Sequence, residues 1–371
     1  MLNRRIYSYL LSAAMLGAGA TVSYAQPINT PVLPLTPELA QKTSVTADGL
    51  LRKDLAYGVY QVAYSPADQS LYVASAESVP GVRGGVIYKL DPMSLDVTGA
   101  IYTDEGNFGL AMNTAGDTLY VTNSLAAAAS KVDVGEKGTI QRTRFSNTSY
   151  DDTKMGPRTI RHDSQNGRVY VGAVGAPAVI WVLDDSSFEL LDTIENAGKW
   201  VTGLLVDPRA PRLFAGNGDG EVMVINTETN QIEQRWKPAG DEQALLLNFA
   251  LDADRNLLYV TETKHQQTIF VLDATTGELL RKLPVGDALD ILYNPTRDEL
   301  YVTHREQGKV SILNGEDYSV KASYDVKENP NSLLLGPDNQ LYVTVKAPFT
   351  PQYKASARES VVRIDLNNVK G

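Results

Sequence analysis

The chain has 371 residues, with 34 Lys and Arg against 44 Asp and Glu and a formal charge of −10 at pH 7. That balance excludes generic electrostatic attraction to nucleic acid or to an anionic membrane surface. There is no cysteine, which excludes disulfides, thiol catalysis, covalently attached haem and a thiolate zinc site.

In chain order, Arg4 and Arg5, an apolar stretch from about Leu10 to Ala20 and the small-x-small pattern Ser23-Tyr24-Ala25 read as a signal peptide over residues 1–25, cleaved after Ala25. The expected location is the periplasm, and Gln26 is the expected mature N-terminus. Asn3-Arg4-Arg5-Ile6-Tyr7 also reads as a twin-arginine leader, which would imply export of an already folded chain. No later run approaches the roughly 18 apolar residues that a membrane span needs, so no span is expected. Residues 26–47 carry Pro27, Pro31, Pro34 and Pro37 without an apolar period, and read as a disordered Pro-rich tether outside the core.

From residue 48 to 371 one phrase recurs seven times: Leu71-Tyr72-Val73, Leu119-Tyr120-Val121, Val169-Tyr170-Val171, Leu213-Phe214-Ala215, Leu258-Tyr259-Val260, Leu300-Tyr301-Val302 and Leu341-Tyr342-Val343. The copies lie 48, 50, 44, 45, 42 and 41 residues apart, the period of a four-stranded propeller blade. The fold class is therefore all-β, a seven-bladed β-propeller. The sixth repeat shows the four predicted strands plainly, at 288–293, 300–304, 310–313 and 320–324, separated by turns rich in Asp, Asn, Pro and Gly. The seventh repeat runs out after three strands at Val361 to Leu366. The spare strand Leu50 to Leu55 is expected to fill that edge, so that the N-terminal strand closes the ring. A ring closed on itself needs no second subunit, and a monomer is expected.

The long connections, 77–85, 146–158, 238–247 and 346–360, all fall where propeller topology puts them on one face, which is the expected ligand or partner face. Near its channel mouth the repeat is broken by Arg158, Lys199, Trp200, Asn248 and Asn331 at inner-strand entries, and by Asn123, His304, Arg305 and Lys346 at the ends of second strands. Arginine and lysine converging with an aromatic suit a small anionic ligand; the same residues also read as polar rim or channel caps. The loop 346–360 interleaves Lys346, Phe349, Tyr353, Lys354 and Arg358. With Arg158, Trp200 and Arg305 it forms a candidate single-stranded DNA track, and it reads equally as a solvated Pro-containing loop.

Catalytic signatures are thin. His162, His265 and His304 are scattered over different repeats, and no nucleophile elbow, P-loop or zinc helix is present, so no catalytic residue, metal ligand or cofactor is assigned. Gly216-Asn217-Gly218-Asp219-Gly220 and Asp252-Ala253-Asp254-Arg255-Asn256 read as hairpin turns rather than a phosphate cradle and a calcium loop.

Leu119-Tyr120-Val121-Thr122-Asn123, with its variants at 300–304 and 341–345, resembles the YVTN-repeat propellers. Gly85 to Pro92, Tyr301 to Arg305 with Gly308-Lys309-Val310, and Asn329 to Leu333 are similar to the YncE family of exported bacterial propellers. The resemblance implies a periplasmic propeller without an established enzymatic activity, sometimes linked to iron-responsive expression and to single-stranded DNA binding. Three readings follow: a non-enzymatic scaffold for a protein or a small anionic ligand, a single-stranded DNA binder, and a metal- or cofactor-dependent enzyme of the lactonase or oxidoreductase type found among related propellers.

Overall fold

A computed structural model describes residues 32–33, 44–45, 50–76, 84–135, 138–148, 154–351 and 355–369. The proposed leader and its cleavage site lie outside them. Among the described residues are seven antiparallel sheets, six built on four consecutive strands and the seventh on three C-terminal strands with one from the N-terminal part. Numbered in order, blades 1 to 7 begin with the inner strands Val59–Ser65, Leu110–Met112, Gly156–Asp163, Val201–Asp207, Leu246–Asp252, Ile291–Asn294 and Asn329–Leu335.

The recurring phrase forms the second strand of every blade. Ser70–Ser75 and Gln340–Lys346 are buried at every position, because a central strand has neighbours in its own sheet and further blades against both faces. A continuous apolar run, rather than an alternating one, is the sequence consequence. Fourth strands such as Leu190–Ile194 and Leu279–Leu283 lie at the rim and are mostly exposed.

Blade 7 consists of Asn329–Leu335, Gln340–Lys346 and Glu359–Asp365, with Leu51–Ala56 antiparallel on its outer edge; Leu51 faces Arg363 and Lys53 faces Val361. Arg52 extends that contact to blade 6, donating to Val326 O at 2.9 Å and pairing with Glu328 at 2.9 Å. Within the region read as a tether, Val32–Leu33 pairs with Ile101 and Ala100 of blade 1, and Ser44–Val45 pairs with Arg52 and Leu51. Outer strands present unpaired N–H and C=O groups, and these two short segments cover such edges.

Among the described residues no sheet hydrogen bonds join one blade to the next, so side chains and packing must do so. The phrase supplies a hydroxyl at each end. On one side Tyr72 reaches Val134 O at 3.4 Å, Tyr170 reaches Thr227 O at 3.4 Å, Tyr342 reaches Pro92 O at 3.0 Å, and Tyr120 bonds Asp185, in each case on the following blade. On the channel side Thr122 donates to Arg158 O at 3.2 Å, Thr261 to Leu289 O at 3.0 Å and Thr344 to Tyr60 O at 2.8 Å.

Deleting residues 48–56 exposes the outer edge of blade 7 and removes the Arg52 contacts. The unfolding midpoint is expected to fall by roughly 5–10 °C. Thermal unfolding followed by circular dichroism measures it, and a truncated protein melting with the full chain would show that this strand adds nothing to the ring.

Candidate anion site at the channel mouth

The strand order places all four long connections on one face, either between second and third strands or between one blade's outer strand and the next inner strand. The inner strands begin on the same face, and several begin with a bulge. In blades 2, 5 and 6 the N–H of Gly109, Asn248 and Asp290 bonds the hydroxyl of Thr122, Thr261 and Thr303 at 2.7, 2.9 and 2.9 Å, thirteen residues on in each case. Register shifts at Pro157/Thr159, Val201/Gly203 and Pro330/Ser332 mark the equivalent bulges in blades 3, 4 and 7. A bulge takes a residue out of the ladder and re-aims its side chain, here into the channel.

The result is a cavity of about 100 Å³ whose polar lining includes Arg158, Asn248, Asp290, Arg305, Asn331 and Lys346. Most of these also tie their blade to the next. Arg158 donates to Thr202 O, Asn248 to Leu289 O at 2.8 Å and Asn331 to Tyr60 O at 3.1 Å, while Asp290 accepts from Leu333 N at 2.8 Å. Gln61 and Thr202 do the same between blades 1 and 2 and between blades 4 and 5, through Leu110 N at 2.8 Å and Leu246 O at 2.6 Å.

Charge at the mouth is unevenly matched. Burial, reinforced by the like charge of Arg305, holds Arg158 down to about 10, and burial likewise lowers Arg161. Burial also pushes the Asp290 carboxyl up to about 6, against the opposing pull of two backbone N–H donors and of Arg161 and Arg158. Lys346 is already neutralised. It is buried with Glu359 at 2.8 Å, and also donates to Val59 O at 2.9 Å. Arg158 and Arg161 lie within electrostatic reach of Asp290, and Arg305 within reach of Arg158, so cationic groups gather at the mouth of an acidic protein.

The remaining predicted residues are placed elsewhere. Lys199 and Trp200 are outside the cavity lining: the ammonium lies 4.3 Å from the indole centroid, and Trp200 packs on Leu245, Leu247 and Leu289. Trp200 thus seals the space between blades 4, 5 and 6, held at φ 58°. His304 is buried, with Nδ1 3.1 Å from Asp287 O, and burial lowers its pKa. Asn123 is buried too, donating to Gly106 O at 3.1 Å. Of the DNA-track set, Phe349 joins Arg158 and Arg305 in the cavity lining, and Arg358 turns to Leu55 O at 3.4 Å. Tyr353 and Lys354 lie outside the described residues. The three histidines sit on three blades, and no three His, Asp or Glu side chains gather in a metal-binding group among the described residues.

Sequence reading missed Asp290, Gln61, Thr202 and the aromatic residues Tyr60 and Phe108. A signal was present. The fixed interval of thirteen residues before the strand-two threonine marks the bulge, so Gly109, Asn248 and Asp290 were equivalent positions in the sequence.

The chain is 36% identical over 329 residues to the uncharacterized protein YncE of Salmonella typhi, covering 87% of this chain and 93% of that one. It is also 36% identical over 325 residues to YncE of Escherichia coli strain K12, covering 86% and 92%. The chain belongs to the YncE family. A more distant likeness, 25% identity over 229 residues, covers 59% of this chain and 49% of antigen Lp49 of Leptospira interrogans. No family model matches. Among solved structures, hydrazine synthase of Kuenenia stuttgartiensis has a TM-score of 0.65 at 17% identity, covering 78% of this chain and 92% of that one. The WD40 propeller domain of Doa1 has a TM-score of 0.61 at 12% identity, covering 83% and 93%. At those identities the likeness shows the propeller fold alone. No helix among the described residues of this YncE-family chain is long and apolar enough to cross a membrane.

Two predictions follow from the charges at the mouth. Lys346→Met leaves Glu359 buried without its cation and is expected to cost about 3–5 kcal/mol in chemical denaturation, most of which Lys346→Met combined with Glu359→Gln restores. Equal losses in the single and double variants would show that packing, not charge, is what matters there. For Asp290, the folded-state pKa lies above the unfolded one, so the folded chain keeps this proton to higher pH and stability falls as pH rises from about 4 towards about 6. Asp290→Asn should flatten that fall in denaturation midpoints measured from pH 4 to 7. An unchanged slope would place the carboxyl at its ordinary value.

Proposed function

We propose that the mature chain is an exported, non-enzymatic binding scaffold, periplasmic as its leader suggests, which takes an anionic group at the channel mouth. One observation carries the reading: Arg158 of blade 3 and Arg305 of blade 6 line the same cavity, close enough for Arg305 to disfavour the charge of Arg158. Like charges held together by the fold are relieved by an anion, and guanidinium pairs suit carboxylate or phosphate oxygens. The bulged inner strands supply a rigid rim, which lowers the ordering cost of docking.

Single-stranded DNA binding is the second reading, favoured by Phe349 and Arg305 sharing the cavity lining, since aromatic faces and cations together track a strand. The Trp200 position weighs against it, because that ring packs on leucines.

The test is calorimetric titration of sulfate and acetate into the mature protein at low ionic strength, with Arg305→Gln as the variant. Arg305 follows the second strand of blade 6 and lies outside the inner-strand bulges. Saturable binding weakened about tenfold or more in the variant is expected. No binding of either anion to the wild type overturns the reading. Oligonucleotide binding that falls linearly with the logarithm of salt and is lost in the same variant would favour DNA instead.

A further inference from the structure

The cavity combines aromatic and cationic lining. Tyr60, Phe108 and Phe349, from blades 1, 2 and 7, all line it, with the Tyr60 and Phe108 rings 4.6 Å apart and tilted by 52°. Lys346 Nζ lies 3.8 Å from the Tyr60 centroid and 5.8 Å from that of Phe349, and its charge is matched by Glu359. Lys346 therefore fixes these rings rather than offering a free cation. Arg158 and Arg305, from blades 3 and 6, line the same cavity. The amides of Asn248 and Asn331 donate to backbone carbonyls, and so does Arg158, whose guanidinium carries further N–H donors.

Size narrows the class. At about 100 Å³ the cavity is well short of the roughly 300–1,000 Å³ of pockets that enclose drug-sized ligands. It accommodates a group of one ring rather than a nucleotide.

We propose that the mouth recognises a small aromatic oxyanion, a single-ring carboxylate or its chemical equivalent, with the ring against Phe108 and Phe349 and the oxyanion on Arg158 and Arg305. The assignment rests on the anion-site reading above and adds the ring to it. Arg158 and Arg305 meet the carboxylate oxygens with charge-assisted hydrogen bonds. Phe108 and Phe349 meet the ring by edge or offset contacts, the preferred geometry for aromatic pairs. Asp290 lies within electrostatic reach of Arg158 and Arg161 and offsets part of their charge.

Calorimetry with benzoate, acetate, benzyl alcohol and thymidine 5′-monophosphate separates the outcomes. Benzoate is expected to bind about tenfold more tightly than acetate, with benzyl alcohol silent. Phe349→Leu should bring benzoate to within about threefold of acetate, while Arg305→Gln should weaken both. Phe349 is partly exposed, so its replacement tests the ring contact without opening the core. Equal binding of benzoate and acetate, both weakened by Arg305→Gln, overturns the aromatic class and leaves the anion site standing. Thymidine 5′-monophosphate binding more tightly than benzoate also overturns it, in favour of a nucleotide end. Absence of binding by any carboxylate, or binding indifferent to Arg305→Gln, removes both the ring and the anion site.

Discussion

A propeller's blades are separate sheets, and the ring persists only if each sheet is fixed to the next across a seam that carries no sheet hydrogen bonds. Here the seam is closed at the channel wall by one side chain after another reaching the next inner strand's backbone: Gln61, Thr122, Arg158, Thr202, Thr261, Asp290 and Thr344 in turn around the ring. Each such bond is worth about 1 kcal/mol net, yet leaving a buried partner unmade costs more. Away from the channel the tyrosine hydroxyls and apolar packing complete the seam. Tyr259, whose hydroxyl has no hydrogen-bond partner among the described residues, instead lies edge-on to Tyr318, with centroids 6.2 Å apart.

This division explains why the mouth is polar. The residues that tie blades together must present donors and acceptors to backbone groups at the inner-strand bulges, and the bulges open onto the channel. Six of the seven junctions use neutral side chains or a carboxylate; the junction from blade 3 to blade 4 uses Arg158. A cation placed there for structural reasons carries charge into a confined space, and Arg305 adds a second one beside it. Asp290 meets part of that charge, at the cost of its own desolvation, and so lies above the ordinary carboxylate range.

The fold was legible because the second strand is buried on both faces and repeats seven times, so its apolar phrase survives at a steady interval. Strand ends were less so. In the sixth repeat the first strand was expected from Ala288 but begins at Ile291, because Leu289 and Asp290 are taken out of the regular ladder by their bonds to Thr303. The site was half legible for the same reason. Arg158, Asn248, Arg305, Asn331 and Lys346 stood out by breaking the repeat and do line one cavity. Trp200 and Lys199 also broke it, but serve a leucine cluster and each other. A departure from the repeat marks an altered environment, and sequence alone does not say whether that environment is channel or core. Nor does it reveal that Lys346 has a buried carboxylate thirteen residues away, since Glu359 reads as an ordinary strand residue.

The same division bounds where recognition can vary within this architecture. Arg158, Asn248, Asp290 and Asn331 each hold a neighbouring blade, so exchanging one for another ligand chemistry disturbs a junction as well as the cavity. Arg305 and Phe349 enter the cavity from the far ends of second strands, beyond the bulges, where the chain is leaving the sheet. If the mouth takes an anion as proposed, the inner strands supply the fixed part of the site, and the connections after His304 and Lys346 supply the part that is not built into an inner-strand bulge.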